Sequence, residues 1–452
     1  MARIAGILKD FFATYQQKVT QATASGRLDV MGGITDVAGS LLLQRALAPV
    51  ATAYVANRDD QSVTLKIVHQ GTATHDIVCS YPELIGSFPT VQYDYIRQQV
   101  RNVHPDPLVM VLLGCLVVLF AERKLKFEGL AVVLVSDLPW EAGVGAFAAL
   151  EMALLKAVSN SLNLTVAPYE LPLAAHHAEN WVGGFSTGPS RHLVASLGDL
   201  QQLTPLRCQP AEVFHPIPLP DTLSFVGLGT GGAVRLDDPA PARLRVAMFM
   251  GYSIVALADG ATVRDLEVAK ETGDWSALPY GGYLGNIPPS EFEDKYLSLL
   301  PEGLTGQDFV EKFRTSIDVV SFIDRDEEYP VRKAARLAVY ENFRAQLFVQ
   351  VVKNYSPEFQ NYANRLTLMG ELMYQSHQSY TDCGIGYPGA DDIVARVKAA
   401  GPRKGLYGAR ITAPGSGGMV CILCGGLSGY DNVVAIQQAY EQQLGKPVAL
   451  FQ

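Results

Sequence analysis

A chain of 452 residues, 48% hydrophobic and 18% charged, can bury a large core and is long enough for about two to three domains. That composition excludes an intrinsically disordered chain, and a net charge of -9 argues against nucleic acid and gives no support for an anionic membrane surface as a partner, since both call for a basic face. Six cysteines scattered over the chain predict reduced thiols in a cytoplasmic protein, not a disulfide framework.

In chain order, residues 3–23 carry a helical period. Residues 1–16 are mixed and amphipathic and lack the apolar core of a signal peptide. Residues 41–56 and 62–78 are rich in β-formers, with Val63-Thr64-Leu65-Lys66-Ile67-Val68 alternating. Residues 108–120 form an apolar run shorter than the roughly 20 residues that span a bilayer, so a buried helix over 107–124 is expected. A buried strand over 129–136, a turn over 138–145 and a helix over 146–159 follow, the order a phosphate-binding loop requires. Residues 171–180 read as a helix and 185–191 as a Gly/Ser/Pro-rich loop. The proline-rich stretch 205–220 leads into a strand at 222–228.

A domain junction is expected around 220–240, dividing the chain into residues 1–235 and 236–452. The second half reads as helices over 244–258, 263–272, 306–315, 331–352, 362–379 and 391–400. Strands over 408–412 and 419–424 then flank a Gly-rich loop, and a helix over 433–444 closes the chain. Cys421 and Cys424 have redox or zinc spacing, but they stand in an apolar strand without a second pair and read as core residues. No metal site is expected from the sequence. The fold class is α+β in two lobes, with Gly-rich turns from both lobes facing one cleft.

Two segments carry more than fold. One is Gly26-Arg27-Leu28-Asp29-Val30-Met31-Gly32-Gly33-Ile34-Thr35-Asp36. The other is Tyr407-Gly408-Ala409-Arg410-Ile411-Thr412-Ala413-Pro414-Gly415-Ser416-Gly417-Gly418. Together they resemble the first and third motifs of the GHMP kinase superfamily, on its L-arabinokinase and galactokinase branch. The stretches Gly281-Gly282-Tyr283-Leu284-Gly285-Asn286-Ile287, Tyr340-Glu341-Asn342-Phe343-Arg344, Gly370-Glu371-Leu372-Met373-Tyr374-Gln375-Ser376-His377 and Cys383-Gly384-Ile385-Gly386 resemble the arabinokinase branch in particular.

The resemblance implies a GHMP-type two-lobed fold with the active-site cleft between an N-terminal and a C-terminal domain. It implies Arg27 and Asp36 as catalytic residues and Asp29, Asp36 and Gly183 as sugar contacts. A carboxylate accepts hydroxyl donors, and a guanidinium holds a polarised or anionic oxygen. The tyrosine that usually follows the aspartate is Val37 here.

The phosphate loop departs from the family pattern. Its three serines are replaced by Gly145, Ala146 and Phe147 after Gly143, which removes the hydroxyls for phosphate and magnesium. Gly143, Gly145, Ala146, Gly415 and Gly417 are the remnants of the phosphate-binding turns. Trp140 and Glu141 replace small or polar residues in the approach, and Glu141 reads as a solvated loop residue. The catalytic aspartate aligns with Ser190, which cannot serve as a base near neutral pH. The neighbouring His192 is either a substitute base or a packing residue. The family's Arg-His-Ser segment is replaced by Gly229-Thr230-Gly231-Gly232-Ala233-Val234-Arg235, and Pro414 removes an amide from the third motif.

The expected function is therefore a carbohydrate-binding homologue, a pseudokinase that has lost the family's phosphorylation. One alternative is another reaction class on sugars or sugar phosphates, with Asp29, Asp36 and Glu141 as acid–base groups. The other is a divergent sugar 1-kinase. ATP and magnesium are cofactors only under that last reading. The partner is a small sugar or sugar derivative, and the sequence sets neither which sugar nor an oligomeric state.

Overall fold

The computed structural model describes residues 2–15, 17–235, 237–355, 362–412, 417–426 and 428–452. The fold is α+β, and the chain divides into two units.

The first unit holds Met1–Arg27, Ala46–Trp140 and Val144–Leu200. Its alternating segment folds as a hairpin of Ser62–His69 and Thr72–Ser80. Gln70 and Gly71 make the turn, with φ of 49° and 72°, as a two-residue hairpin turn demands. Strand Ser62–His69 pairs in parallel with Leu130–Ser136, which pairs antiparallel with residues 51–57 of strand Leu41–Asn57. Leu130–Ser136 is buried along its whole length, the expected fate of an unbroken apolar run in a central strand.

The amphipathic helix Ala2–Phe12 covers one area of this sheet. Ile4, Ile7, Leu8 and Phe11 lie on Val68, Val133 and Val135. The run 108–120 is the buried body of helix Pro107–Glu122, opened by Pro107 and by an Asp106 side chain that accepts from the Leu108 amide at 2.8 Å. Among the described residues, no helix is long and apolar enough to cross a membrane.

Three local expectations shift. The N-terminal helix ends at Phe12, and strand Thr20–Met31 begins inside the predicted helical span. Val19, Thr20 and Thr23 are β-branched and favour the pleated form. Residues 178–180, expected as the end of a plain helix, belong to a π-helix over Ala178–Gly183 that closes on Gly184 at φ 77°. Residues 190 and 191, expected in a loop, begin helix Ser190–Leu197, and the proline-rich stretch forms strands Gln202–Cys208 and Ala211–Val213.

The second unit holds Leu28–Arg45, Glu141–Gly143 and Gln201–Gln452. Its antiparallel sheet runs in the order Leu406–Ile411, Met419–Gly425, Leu223–Gly229, Leu450–Phe451. Cys421 and Cys424 are buried in that sheet as free thiols, and burial pushes the Cys424 thiol up to about 12. Helices Pro239–Ala258, Val331–Lys353, Tyr362–Asp382 and Pro388–Ala400 supply much of the core. Gly370 lets a helix approach a strand closely, for a Cβ there would lie 1.8 Å from the Tyr407 carbonyl oxygen. A buried pair, Arg245 with Asp318 at 2.8 and 3.0 Å, anchors the loop before strand Glu328–Tyr329.

Candidate functional site

In the second unit, the first motif is a strand end followed by a tight turn. Gly32 and Gly33, at φ 100° and 47°, swing the chain into the 3-10 helix Gly33–Ala38, which Gly39 ends at φ 75°. Asp36 sits in that helix with 6% of its surface exposed. The arabinokinase-like stretches brace this turn. Tyr283 packs where a Cβ on Gly39 would stand, only 2.7 Å away. Asn342 donates to the Gly285 carbonyl and accepts from the Leu41 amide at 2.8 Å.

Beneath the turn runs a buried charged network. Arg410 donates to Asp29 Oδ2 at 2.5 Å and to Ser376 Oγ at 2.9 Å. Ser376 donates to Glu341 Oε1 at 2.6 Å, which also accepts the Gly32 amide at 3.2 Å. Arg344 donates to the other oxygen of Glu341 at 2.9 Å. Burial opposes the charge on Arg410, but Asp29, Tyr380 and Glu341 outweigh it and push the guanidinium pKa up. The second oxygen of Asp29 accepts from the Gly33 amide at 3.2 Å and from Gln44 at 3.4 Å. Asp29 is fully buried, and its carboxylate is engaged by protein donors on both oxygens.

Nearby, His377 Nδ1 accepts the Ile411 amide at 3.3 Å and Nε2 lies 3.0 Å from Asp391. Burial lowers the His377 pKa, with Asp391 opposing. Ile411 ends the strand that carries the first part of the third motif. Gly417 holds φ 132°, and Gly415 lies outside the described residues.

In the first unit, the strand–turn–helix expected of a phosphate loop is present, with Gly145 (φ 71°) at the N-terminus of helix Ala146–Ser161. Arg27 is brought to this turn. Its amide donates to the Val144 carbonyl at 2.7 Å, and its Cγ would be 3.0 Å from a Cβ on Gly145. Gly143, at φ 74°, belongs by its contacts to the second unit, as does the exposed Glu141, whose carbonyl accepts the Val234 amide at 2.8 Å.

No hydroxyl stands at 145, 146 or 147. The Trp140 indole stacks on His69 at 4.2 Å, and Phe147 meets Trp140 edge-on at 6.2 Å. His69 Nε2 donates to the Leu138 carbonyl at 3.0 Å, which fixes the ring. As a seat for magnesium this loop fits poorly: it offers rings and backbone amides, which suit phosphate oxygens, but no side-chain oxygen for the metal.

The same unit holds a cluster of which the sequence singled out only His192. Glu151, Glu179 and His192 are fully buried, and their ligand atoms lie within 4.8 Å of one another. His192 Nε2 is 3.1 Å from Glu151 and 3.6 Å from Glu179. The spacing suits a divalent cation, but the positive charge is supplied from within. Arg191 donates to Glu179 Oε2 at 2.6 Å, and Thr187 donates to the same oxygen. Burial pushes the Glu179 carboxyl up, and Arg191, His192 and Thr187 together outweigh it to hold the pKa low. Glu151 goes the other way, raised by burial and by Glu179. Cys115 Sγ approaches Glu151 at 3.8 Å, and burial raises its thiol pKa well above the ordinary range.

Ser190 heads the helix that delivers Arg191 and His192 and is itself 3% exposed. Gly183 is packed under Phe185 and Val111, where a Cβ would lie 2.6 and 3.0 Å from them. The structure thus gathers Arg27, Gly145 and Ala146 in one unit and Asp29 and Asp36 in the other. The signal for the missed cluster was available in Ala148-Ala149-Leu150-Glu151-Met152, where an acid interrupts an apolar helix face and so demands a buried partner.

Residues 111–198 match the family described as GHMP kinases N terminal domain. Over 97% of its length the chain is 28% identical to L-arabinokinase of Arabidopsis thaliana, and it spans 46% of that protein. It is 24% identical to galactokinase of Glaesserella parasuis over 89% of the chain and 83% of the relative. Among solved structures, galactokinase of Lactococcus lactis complexed with galactose superposes with a TM-score of 0.70. The identity is 18%, and the match covers 99% of this chain and 97% of the other. Mevalonate kinase of L. major matches at a TM-score of 0.54 and 15% identity, covering 97% of each chain. The sequence matches support the arabinokinase and galactokinase branch of the GHMP kinases, and the structural likeness gives the fold.

Proposed function

We propose that this homologue of the GHMP sugar kinases is a cytoplasmic carbohydrate-binding protein that does not transfer phosphate from ATP in its relatives' manner. The observation that carries this reading is the phosphate loop. Its three hydroxyl positions are Gly145, Ala146 and Phe147, and Trp140, His69 and Phe147 form an aromatic stack beside them. Phosphoryl transfer works by positioning and charge neutralisation together, and a loop without side-chain hydroxyls gives the neutralising magnesium no ligand.

The sugar side keeps its two charged residues, though Val37 stands in place of the usual tyrosine. Arg27 and Asp36 persist, and a dense hydrogen-bond network braces the turn that holds Asp36. The relatives are named for arabinose and galactose, so an aldose of that kind is the ligand this reading favours. Acid–base chemistry through Asp29 is disfavoured, because Arg410, Gly33 and Gln44 already engage its carboxylate.

Thermal unfolding of the full chain with L-arabinose, D-galactose and magnesium-ATP, alone and paired, tests the proposal. A ligand that binds only the folded state raises the midpoint by mass action. Stabilisation by a sugar with no response to magnesium-ATP is expected. Stabilisation by magnesium-ATP, followed by sugar-dependent release of ADP, would overturn it in favour of a divergent sugar 1-kinase.

A further inference from the structure

The first unit contains a cavity of about 460 Å³ that none of the motifs uses. It lies beside the C-terminal turn of helix Pro107–Glu122, in a size range typical of small-molecule sites. Its inner wall is aromatic. Tyr81 stacks on Phe127 at 4.0 Å, and Phe120 meets Phe127 edge-on at 4.8 Å. Phe88 and Val91, which also line it, remain 49% and 44% exposed. Gly86 at φ 67° keeps Phe88 close, since a Cβ there would lie 2.7 Å from that ring.

The charges of the lining are of one sign. Lys124 and Lys126 contribute to it and no acid does, in a chain whose net charge is -9. Lys126 leans on exposed Glu128 at 3.4 Å, while Lys124 has no ion pair among the described residues. Lys124 also sits where glycine is the default. The Lys124 amide bonds to the Ala121 carbonyl and the Leu125 amide to the Phe120 carbonyl, the helix-ending pattern whose central residue is left-handed. Lys124 holds φ 53° there, and Gln61, also in the lining, holds 56°. A lysine kept in a glycine conformation at the rim of an apolar cavity is a feature that folding alone does not favour.

We propose that this cavity binds a small free amphiphilic anion, an aromatic body carrying one acidic group, with the rings inside and the acid at Lys124 and Lys126. The chemistry is complementary on both counts: apolar walls for the body, and for the charge the Lys124 ammonium, which has no ion pair among the described residues, beside Lys126, whose pairing with exposed Glu128 is at the surface.

The test uses two fluorescent probes on the full chain. One is 8-anilinonaphthalene-1-sulfonate. The other is N-phenyl-1-naphthylamine, the same rings without the sulfonate. The sulfonate is expected to bind at one saturable site and to be displaced by 4-phenylbutyrate but not by 4-phenylbutanol. Lys124→Gly suits the left-handed backbone, so the variant folds. Combined with Lys126→Gln it is expected to weaken the sulfonate about tenfold and leave the neutral probe unchanged. Phe88→Ala, at an exposed wall, is expected to weaken both. Sulfonate affinity indifferent to the lysines, either probe indifferent to Phe88→Ala, or a signal that never saturates would each overturn the proposal.

Discussion

The guanidinium of Arg191 lies 2.6 Å from the Glu179 carboxylate, at a site where Glu179, Glu151 and His192 have no exposed side-chain surface. Arg191 itself keeps 22% exposure, so the pair is roofed by the arginine. Removing one member of such a pair strands a buried charge. Arg191→Met is therefore expected to cost about 3 kcal/mol, at the low end for buried pairs because of that exposure. Urea unfolding measures it. The double variant Arg191→Met with Glu179→Gln should recover most of the loss, since no charge then remains uncompensated.

The two acids of the cluster have opposite pH signatures. Glu179 has a lowered pKa in the fold, so its contribution is present above the unfolded value of about 4.3 and is lost as pH falls through the folded value. Glu151 has a raised pKa, so its contribution is present below about 4.3 and is lost as pH rises through the folded value. Glu151→Gln should therefore gain stability relative to the parent as pH rises from 4 to 8. Urea midpoints at several pH values read this directly, and a constant difference would remove the assignment.

His377 has a lowered pKa, mainly from burial, between Asp391 and Arg410. The unfolded chain then binds the proton more readily, so stability falls as pH drops below about 6.5. Thermal midpoints at pH 7.5 and 5.5 should show a smaller drop for His377→Gln than for the parent.

Asp36→Ala is expected to weaken sugar binding by roughly ten- to a hundredfold, the loss of hydrogen bonds to a charged acceptor. Calorimetry with L-arabinose and D-galactose is the measurement, and unchanged affinity would detach Asp36 from the sugar.

Restoring one loop hydroxyl should not restore the loop. At Gly145 the backbone is at φ 71°, and a Cβ would press on Arg27 at 3.0 Å. Gly145→Ser is expected to cost about 1 kcal/mol and to leave the chain without a thermal response to magnesium-ATP.

Much of this fold was legible because its signals are local. The apolar run 108–120, the alternation at 63–68 and the strand–turn–helix around Gly145 each follow from one stretch of sequence. What stayed hidden was long-range pairing. Arg410 meets Asp29 across 381 positions, and Glu341 meets the Gly32 amide across 309. Nothing at either end of such a pair announces the other. Reading Ser190 as the altered catalytic position gave a lost base. The fold shows that the next two residues, Arg191 and His192, are the ones that face a buried acid.

The chain passes from one unit to the other after Arg27, Arg45, Trp140, Gly143 and Leu200, and strands Thr20–Met31 and Leu41–Asn57 each cross a boundary in mid-course. Neither unit is therefore a heritable module that a single recombination event can lift out and join to another gene.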